Sequence, residues 1–156
     1  MNLGKSFEEK FKQDWIKTFP DSFIMRLYDQ VSGYKTVSRN ISDFICYKKP
    51  YFYIIECKSH AGASFPFEKL IQYDKMVSFI DIPGIIIGVV LFLYDKDLVL
   101  FVPLKTIKKM KEDGLKSVGI KHLDSYAILK IPSKKLRVYM DSDYSCLEGY
   151  GVENGK

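Results

Sequence analysis

Apolar Phe7, Phe11 and Trp15 recur at helical spacing behind Ser6-Phe7-Glu8-Glu9, which reads as a capping box with Ser6 at the N-cap and Glu9 at the third helical position. A first helix over 6–18 follows, and Pro20-Asp21 ends it. Residues 23–28 look like a short strand, whereas 30–40, polar with Gly33 and two serines, reads as a loop. Segments 41–47 and 51–58 are rich in aromatic and β-branched side chains and are separated by Lys48-Lys49-Pro50, so they form a hairpin. After a Gly/Ala/Ser loop over 59–66, Leu70, Tyr73, Val77 and Ile80 place a second helix over 67–80. Two apolar runs, 85–94 and 98–102, make another hairpin about Asp95-Lys96-Asp97. Pro103 opens a basic helix that reaches Asp113, with Gly114 as its stop. Short strands over 126–131 and 136–140 flank Pro132-Ser133, and the polar, Gly-rich stretch 141–156 reads as a loosely held tail. This order describes one α/β domain over 1–140, with a mixed central sheet flanked by helices and no repeat or linker to divide it.

Composition narrows the class. At 156 residues and 47% hydrophobic, the chain suits a single core that needs no disulfide or metal staple. No run approaches the roughly 18 apolar residues of a membrane span, and the amino terminus has no apolar signal region, so a cytoplasmic protein with no membrane partner is expected. Cys46, Cys57 and Cys146 show no C-x-x-C pair and form no ligand motif with His60 or His122. That pattern does not suit zinc, and Cys46 and Cys57 read as small core residues.

Charge is uneven. The formal net charge is +5, yet residues 105–137 hold ten Lys and Arg against Glu112, Asp113 and Asp124, a local +7 that leaves −2 for the remainder. A basic face opposite a carboxylate-bearing site suits a polyanion held by its phosphates. Lys105, Lys108, Lys109 and Lys111 are the candidate phosphate contacts; the alternative is that they form the solvated side of an amphipathic helix.

The chemistry sits on the first hairpin. Asp43 opens one strand, and Ile54-Ile55-Glu56-Cys57-Lys58 ends the next, with twelve residues between Asp43 and Glu56. Strand side chains alternate faces, so Glu56 and Lys58 project together while Cys57 turns away. Charges ending an apolar strand need a partner, a metal or a ligand. Phosphodiester hydrolysis requires an activated water, charge neutralisation on the phosphate and help for the leaving oxygen, all of which Mg²⁺ supplies. Mg²⁺ takes hard oxygen ligands and keeps several waters, so Asp43 and Glu56 plus substrate phosphate form a sufficient cage. Lys58 would orient or deprotonate the attacking water, or hold phosphate charge in the transition state.

Asp43 with Glu56-x-Lys58 resembles the PD-(D/E)xK nuclease core, with Ser42 where the motif's proline would stand. More narrowly, Gly4-Lys5-Ser6-Phe7-Glu8-Glu9, the hairpin, Ala63-Ser64-Phe65-Pro66 and the stretch around Gln72 resemble RecU-type Holliday junction resolvases over most of the chain up to about residue 120. The resemblance implies a restriction-endonuclease-like fold and a homodimer cutting branched DNA at four-way junctions, with Mg²⁺ or Mn²⁺ as cofactor, and it leaves room for a recombinase partner. It further implies Asp43, Glu56, Glu8 and the Cys57 backbone carbonyl as metal ligands, and Gln72 as a helix-two glutamine beside the site. Glu9 is Glu8's rival, although its capping-box position favours a structural role. RecU-type enzymes carry a long stalk where this chain has only 29–41, so it resembles a trimmed, phage-encoded version working in a bacterium or an infected host cell. Lys35 and Arg39 would then meet backbone, and Tyr28 and Tyr34 would stack on unpaired bases. Two rivals stay open: another endonuclease of the same core cutting duplex DNA, and a DNA-binding protein that has lost its chemistry.

Overall fold

A computed structural model describes residues 3–154; within these, the side chains of Val31, Lys35 to Ser38 and 151–154 lie outside the description, and with them the Lys35 expectation. In chain order the elements are α1 (Leu3–Thr18), β1 (Phe23–Arg26), β2 (Gln30–Ser32), β3 (Lys35–Ser38), β4 (Phe44–Lys48), β5 (Tyr51–His60) and β6 (Ser64–Pro66). Then come α2 (Tyr73–Val77), β7 (Ile85–Leu93), β8 (Leu98–Pro103), α3 (Leu104–Glu112), β9 (Ser117–Gly119), β10 (Leu129–Lys130), β11 (Ser133–Lys135), β12 (Met140–Ser142) and α4 (Cys146–Asn154).

Six strands form the central sheet in the order β1-β4-β5-β7-β8-β10. The sheet is mixed: β5 and β7 run parallel, and the other pairs are antiparallel. Parallel neighbours require a crossover, here supplied by β6 and α2 on one face. Because β7 and β8 are covered on both faces, they read as unbroken apolar runs rather than alternating ones.

Two clusters divide the core. On one face Phe7, Phe11 and Trp15 of α1 pack on Phe44, Tyr53 and Ile55. On the other, Leu104, Ile107 and Met110 of α3 and Met76 of α2 pack on Ile54, Val89, Leu91 and Leu100. The two faces follow from strand alternation, which sends Ile55 and Cys57 toward α1 and Ile54 and Glu56 away from it.

Several elements differ from the sequence expectation. α1 begins at Leu3, so Ser6 and Glu9 lie inside the helix rather than forming its cap. The segment read as a loop over 30–40 contains the β2–β3 hairpin; Gly33 at φ +63° supplies the left-handed turn residue, and the polarity of the strands hid them. The second helix shrinks to a turn at Phe67–Lys69 and the five residues of α2. Leu70, Met76 and Ile80 still face the core, but Ile71, Tyr73, Val77 and Phe79 are poor helix formers, and packing is satisfied without a continuous helix. In place of strands over 126–131 and 136–140, the chain forms β10 and β11, and β12 begins only at Met140. The stretch expected to be a loose tail folds back through β12 and α4. Tyr144 and Leu147 are fully buried, Tyr53 donates to the Leu147 carbonyl at 3.0 Å, and the Ser142 N–H donates to buried Asp14 at 3.1 Å. A few apolar anchors in a polar segment suffice when the core offers places for them.

Gly88 in β7 tests this packing. A β-carbon there would lie 2.4 Å from the Phe101 ring and 2.8 Å from the Val102 carbonyl, so Gly88→Ala should destabilise the fold by about 1–3 kcal/mol. Urea unfolding measures it, and an unchanged midpoint would contradict the tight β7–β8 contact.

Candidate active site

Register builds the site. Phe44 pairs with Ile55, which sets Asp43, just before β4, level with Glu56 in β5. The Asp43 carboxylate then takes the place of a ladder carbonyl: its Oδ2 accepts from the Cys57 N–H at 2.9 Å. Leu27 N–H donates to the Asp43 carbonyl at 2.8 Å, tying the same residue to the end of β1. Ser42, where the motif's proline would stand, is buried and donates to the Phe44 carbonyl at 2.9 Å, so a side-chain bond shapes the entry to β4. In an antiparallel ladder one residue's N–H and C=O serve the same neighbour, so the Cys57 carbonyl also turns toward the Asp43 edge.

Glu56 is 1% exposed, on the face it shares with Ile54. Lys58 Nζ lies 3.3 Å from its Oε1, and its Oε2 is buried with no hydrogen-bond partner. Burial, then the neighbouring Asp43 charge, push its pKa up to about 8, against the smaller opposing pull of Lys58. Two carboxylates this close in a desolvated site cannot both ionise cheaply, which is the electrostatic signature of a cation site or a proton-sharing pair.

Glu8 arrives from α1. It is paired with Arg26 of β1, and burial and the Asp43 charge raise its pKa while Arg26 and Lys58 lower it. It therefore stands at the rim, within the field of the Asp43 carboxylate, and Arg26 holds it. Glu9, its rival, lies exposed on the neighbouring helical position. Arg26 is a residue the sequence reading passed over. Its guanidinium lies 5.2 Å from the Tyr28 ring centroid and 5.9 Å from that of Phe44, and its Nε is buried without a partner. The signal was present: a charge ending an apolar strand, the same clue that singled out Glu56.

Other expected residues fall elsewhere. Gln72 precedes α2, and no hydrogen bond links it to Asp43, Glu56 or Lys58 among the described residues; its Oε1 is buried and unpartnered. Arg39 is exposed, and its carbonyl accepts from Lys75 at 2.6 Å. Tyr28 and Tyr34 are both solvent-exposed, at 74% and 107%, so neither belongs to the core. Along α3 the four lysines are exposed, but Lys109 pairs with Asp113 at 2.9 Å, Lys108 with Glu112 at 3.9 Å, and Lys111 sits 3.8 Å over the Tyr73 ring. Cys46 and Cys57 are buried on the α1 face.

Among the described residues no three His, Cys, Asp or Glu side chains converge as a metal cage. Mg²⁺ does not ask for one: one or two carboxylates with waters and substrate phosphates suffice. The orphaned Glu56 Oε2 beside Asp43, with hard oxygens alone in the donor set, fits such an ion.

Fold and site together define an α/β protein of the restriction-endonuclease-like class, with a mixed sheet flanked by helices and paired carboxylates at the end of its second hairpin. No family model matches the chain, and no curated protein does. Among solved structures it is similar to the 1.6 Å structure of Hjc from Archaeoglobus fulgidus, a Holliday junction resolvase from an archaeal hyperthermophile. The TM-score is 0.51 at 15% identity, over 76% of this chain and 93% of that one, a likeness that shows a shared fold.

The raised pKa of Glu56 makes stability depend on pH. Between the unfolded value near 4.5 and the folded value of about 8, the folded state binds more protons, so stability falls as pH rises through that window. The melting temperature of the metal-free protein should therefore drop from pH 5 to pH 8, both about the ends of that window. Glu56→Gln should flatten the dependence. An equally steep decline in the variant would assign the effect to other groups.

Proposed function

We propose that the chain is a structure-selective DNA endonuclease that resolves four-way junctions by paired nicks, a resolvase of the RecU kind reduced in size. The observation that carries this reading is the buried Glu56, with its unpartnered oxygen, beside Asp43 and 3.3 Å from Lys58. The shared fold with an archaeal junction resolvase supports it.

Asp43, Glu56 and the Cys57 carbonyl would hold Mg²⁺, with Mn²⁺ as a substitute and Glu8 at the rim. When bound, the ion would lower the pKa of a coordinated water and neutralise phosphate charge. Lys58 would orient that water or steady the charge that builds on the phosphate. Arg26, holding Glu8, would keep that carboxylate from adding its charge to an already acidic site. Exposed Tyr28 and Tyr34 are available to stack on bases that unpair at a crossover. A homodimer explains paired nicking, since a four-way junction presents two equivalent strands and a two-fold assembly presents two equivalent sites.

A labelled synthetic junction incubated with and without Mg²⁺ tests the reading directly. Asp43→Asn or Glu56→Gln should abolish nicking while leaving junction binding within a few-fold, because each removes ligand charge and little shape. Lys58→Ala should slow nicking by a factor on the order of 10² or more. Apart from activity, Mg²⁺ should raise the melting temperature of wild type at neutral pH and leave Glu56→Gln unmoved. Nicking of the junction that excess linear duplex suppresses would turn the reading toward a duplex endonuclease, and absent nicking would remove the enzyme.

A further inference from the structure

Glu56 and Lys58 do not end the row they belong to. His60 is the next residue on the same face of β5, about 14 Å of strand beyond Glu56. Its ring stands edge-on to buried Phe65 with centroids 5.7 Å apart, which confirms the face, since Phe65 belongs to the cluster that includes Ile54. The Ala61 carbonyl lies 2.7 Å from His60 Nδ1, and a carbonyl only accepts, so Nδ1 carries the proton and Nε2 faces Lys69 Nζ at 3.3 Å. A lysine is thereby brought into line with Lys58.

Past His60 the chain enters a cleft of about 530 Å³ lined by Ala63, Ser64, Lys96, Ile120 and Lys121. It lies at the carboxyl ends of the parallel pair β5 and β7, the end of an α/β sheet where loops gather around ligands. Backbone bonds hold its walls. Gly62 N–H donates to Asp95 at 2.8 Å, joining the loop after β5 to the turn after β7, and Ile120 N–H donates to the Ala63 carbonyl at 3.1 Å. Gly119 fits so closely that a β-carbon on it would lie 2.1 Å from that same carbonyl. On the turn after β7, Asp95 is engaged by Gly62 and Asp97 by Lys135 at 2.8 Å, whereas Lys96 and Lys121 are exposed with no ion pair among the described residues. The contrast with α3 is plain, where Lys108 and Lys109 already have carboxylate partners.

We propose that this cleft holds the sugar-phosphate backbone of the DNA strand being cut, running from the Asp43–Glu56 site along Lys58 and the His60–Lys69 pair to Lys96 and Lys121. The proposal rests on the nuclease reading of that site and names the path of its substrate. Successive phosphates lie about twice the 3.4 Å axial rise apart along the backbone of one strand, so the 14 Å row spans about two phosphates, and the cleft grips the strand beyond them. Lys96 and Lys121 are contacts to phosphate, so they add affinity without choosing between DNA shapes.

The test uses the full chain, a labelled synthetic four-way junction and a linear duplex of its arm sequence, with Ca²⁺ in place of Mg²⁺ to hold off cutting. Affinity is measured across a salt series for wild type, for Lys96→Ala with Lys121→Ala, and for Lys108→Ala with Lys109→Ala. The cleft variant should bind both probes more weakly, with the slope of log affinity against log salt shallower by about 1.4 to 1.8 units, two lost phosphate contacts. The α3 variant should move the slope by less than half of that. An unchanged slope in the cleft variant, or a larger change in the α3 variant, overturns the path and leaves the nuclease reading standing. A wild type that binds with the expected salt dependence yet never nicks under Mg²⁺ removes the nuclease reading, and with it the cut strand as occupant, and reduces the cleft to a DNA-binding surface. A wild type that binds neither probe overturns both.

Discussion

The site depends on one hydrogen bond, from the Cys57 N–H to the Asp43 carboxylate. At the end of the β4–β5 ladder a side-chain oxygen stands where a backbone carbonyl would be, so the ladder is completed and terminated by the same group. A carboxylate that accepts a backbone N–H is fixed in position, and that position is beside Glu56 because the register pairs Phe44 with Ile55. A slip of one residue would turn Glu56 and Lys58 into the α1 core and bring Cys57 to the Asp43 face in their place. The aromatic packing of Phe11 and Trp15 on Phe44 and Tyr53 guards against that slip, which links the core on one face to the chemistry on the other.

The same arrangement stores electrostatic tension. Glu56 is nearly inaccessible, its neighbour is a second carboxylate, and a third, Glu8, is held at the rim by Arg26. Lys58 and Arg26 offset the charge incompletely. Such a cluster lowers stability at neutral pH in the free protein, and the doubly covered β7 and β8 supply the burial that tolerates it. A cation or a shared proton relieves it, and both would be sensed by Glu56 first.

How far the sequence discloses this differs by element. The hairpin and the opposition of Asp43 to Glu56 were legible because they rest on period-two alternation and a short connection, both local. The long apolar strands β7 and β8 and the basic helix α3 were legible for the same reason. Helix two misled: its apolar spacing reports which residues face the core, and a turn followed by α2 meets that demand as well as a continuous helix does. The β2–β3 hairpin was hidden because both strands are polar in sequence and pair only with each other, outside the central sheet. The carboxyl-terminal elements were hidden because Tyr144 and Leu147 are isolated anchors whose burial depends on a pocket made by distant residues. In the site, Arg26 was missed because its partners, Glu8 and Tyr28, come from separate elements.

Charge count and charge availability are different quantities, and the molecule separates them. The segment from 105 to 137 carries the largest local excess of lysine, yet on α3 much of it is spent on Glu112, Asp113 and the Tyr73 ring. Phosphate contact requires a cation whose displacement from its present partner costs little, and a solvated lysine meets that better than one in an i, i+4 pair, although such pairs are worth only about 0.3–0.5 kcal/mol. Position then decides more than energy. Lys58, His60, Lys69, Lys96 and Lys121 follow from the strand that bears Glu56, whereas the α3 lysines follow from a helix that reaches the sheet through its apolar face. On the proposed path, a polyanion held through a cation at the Asp43–Glu56 site would meet the first set by continuing along β5, and the orientation of that strand would make the carboxyl end of the parallel pair its exit.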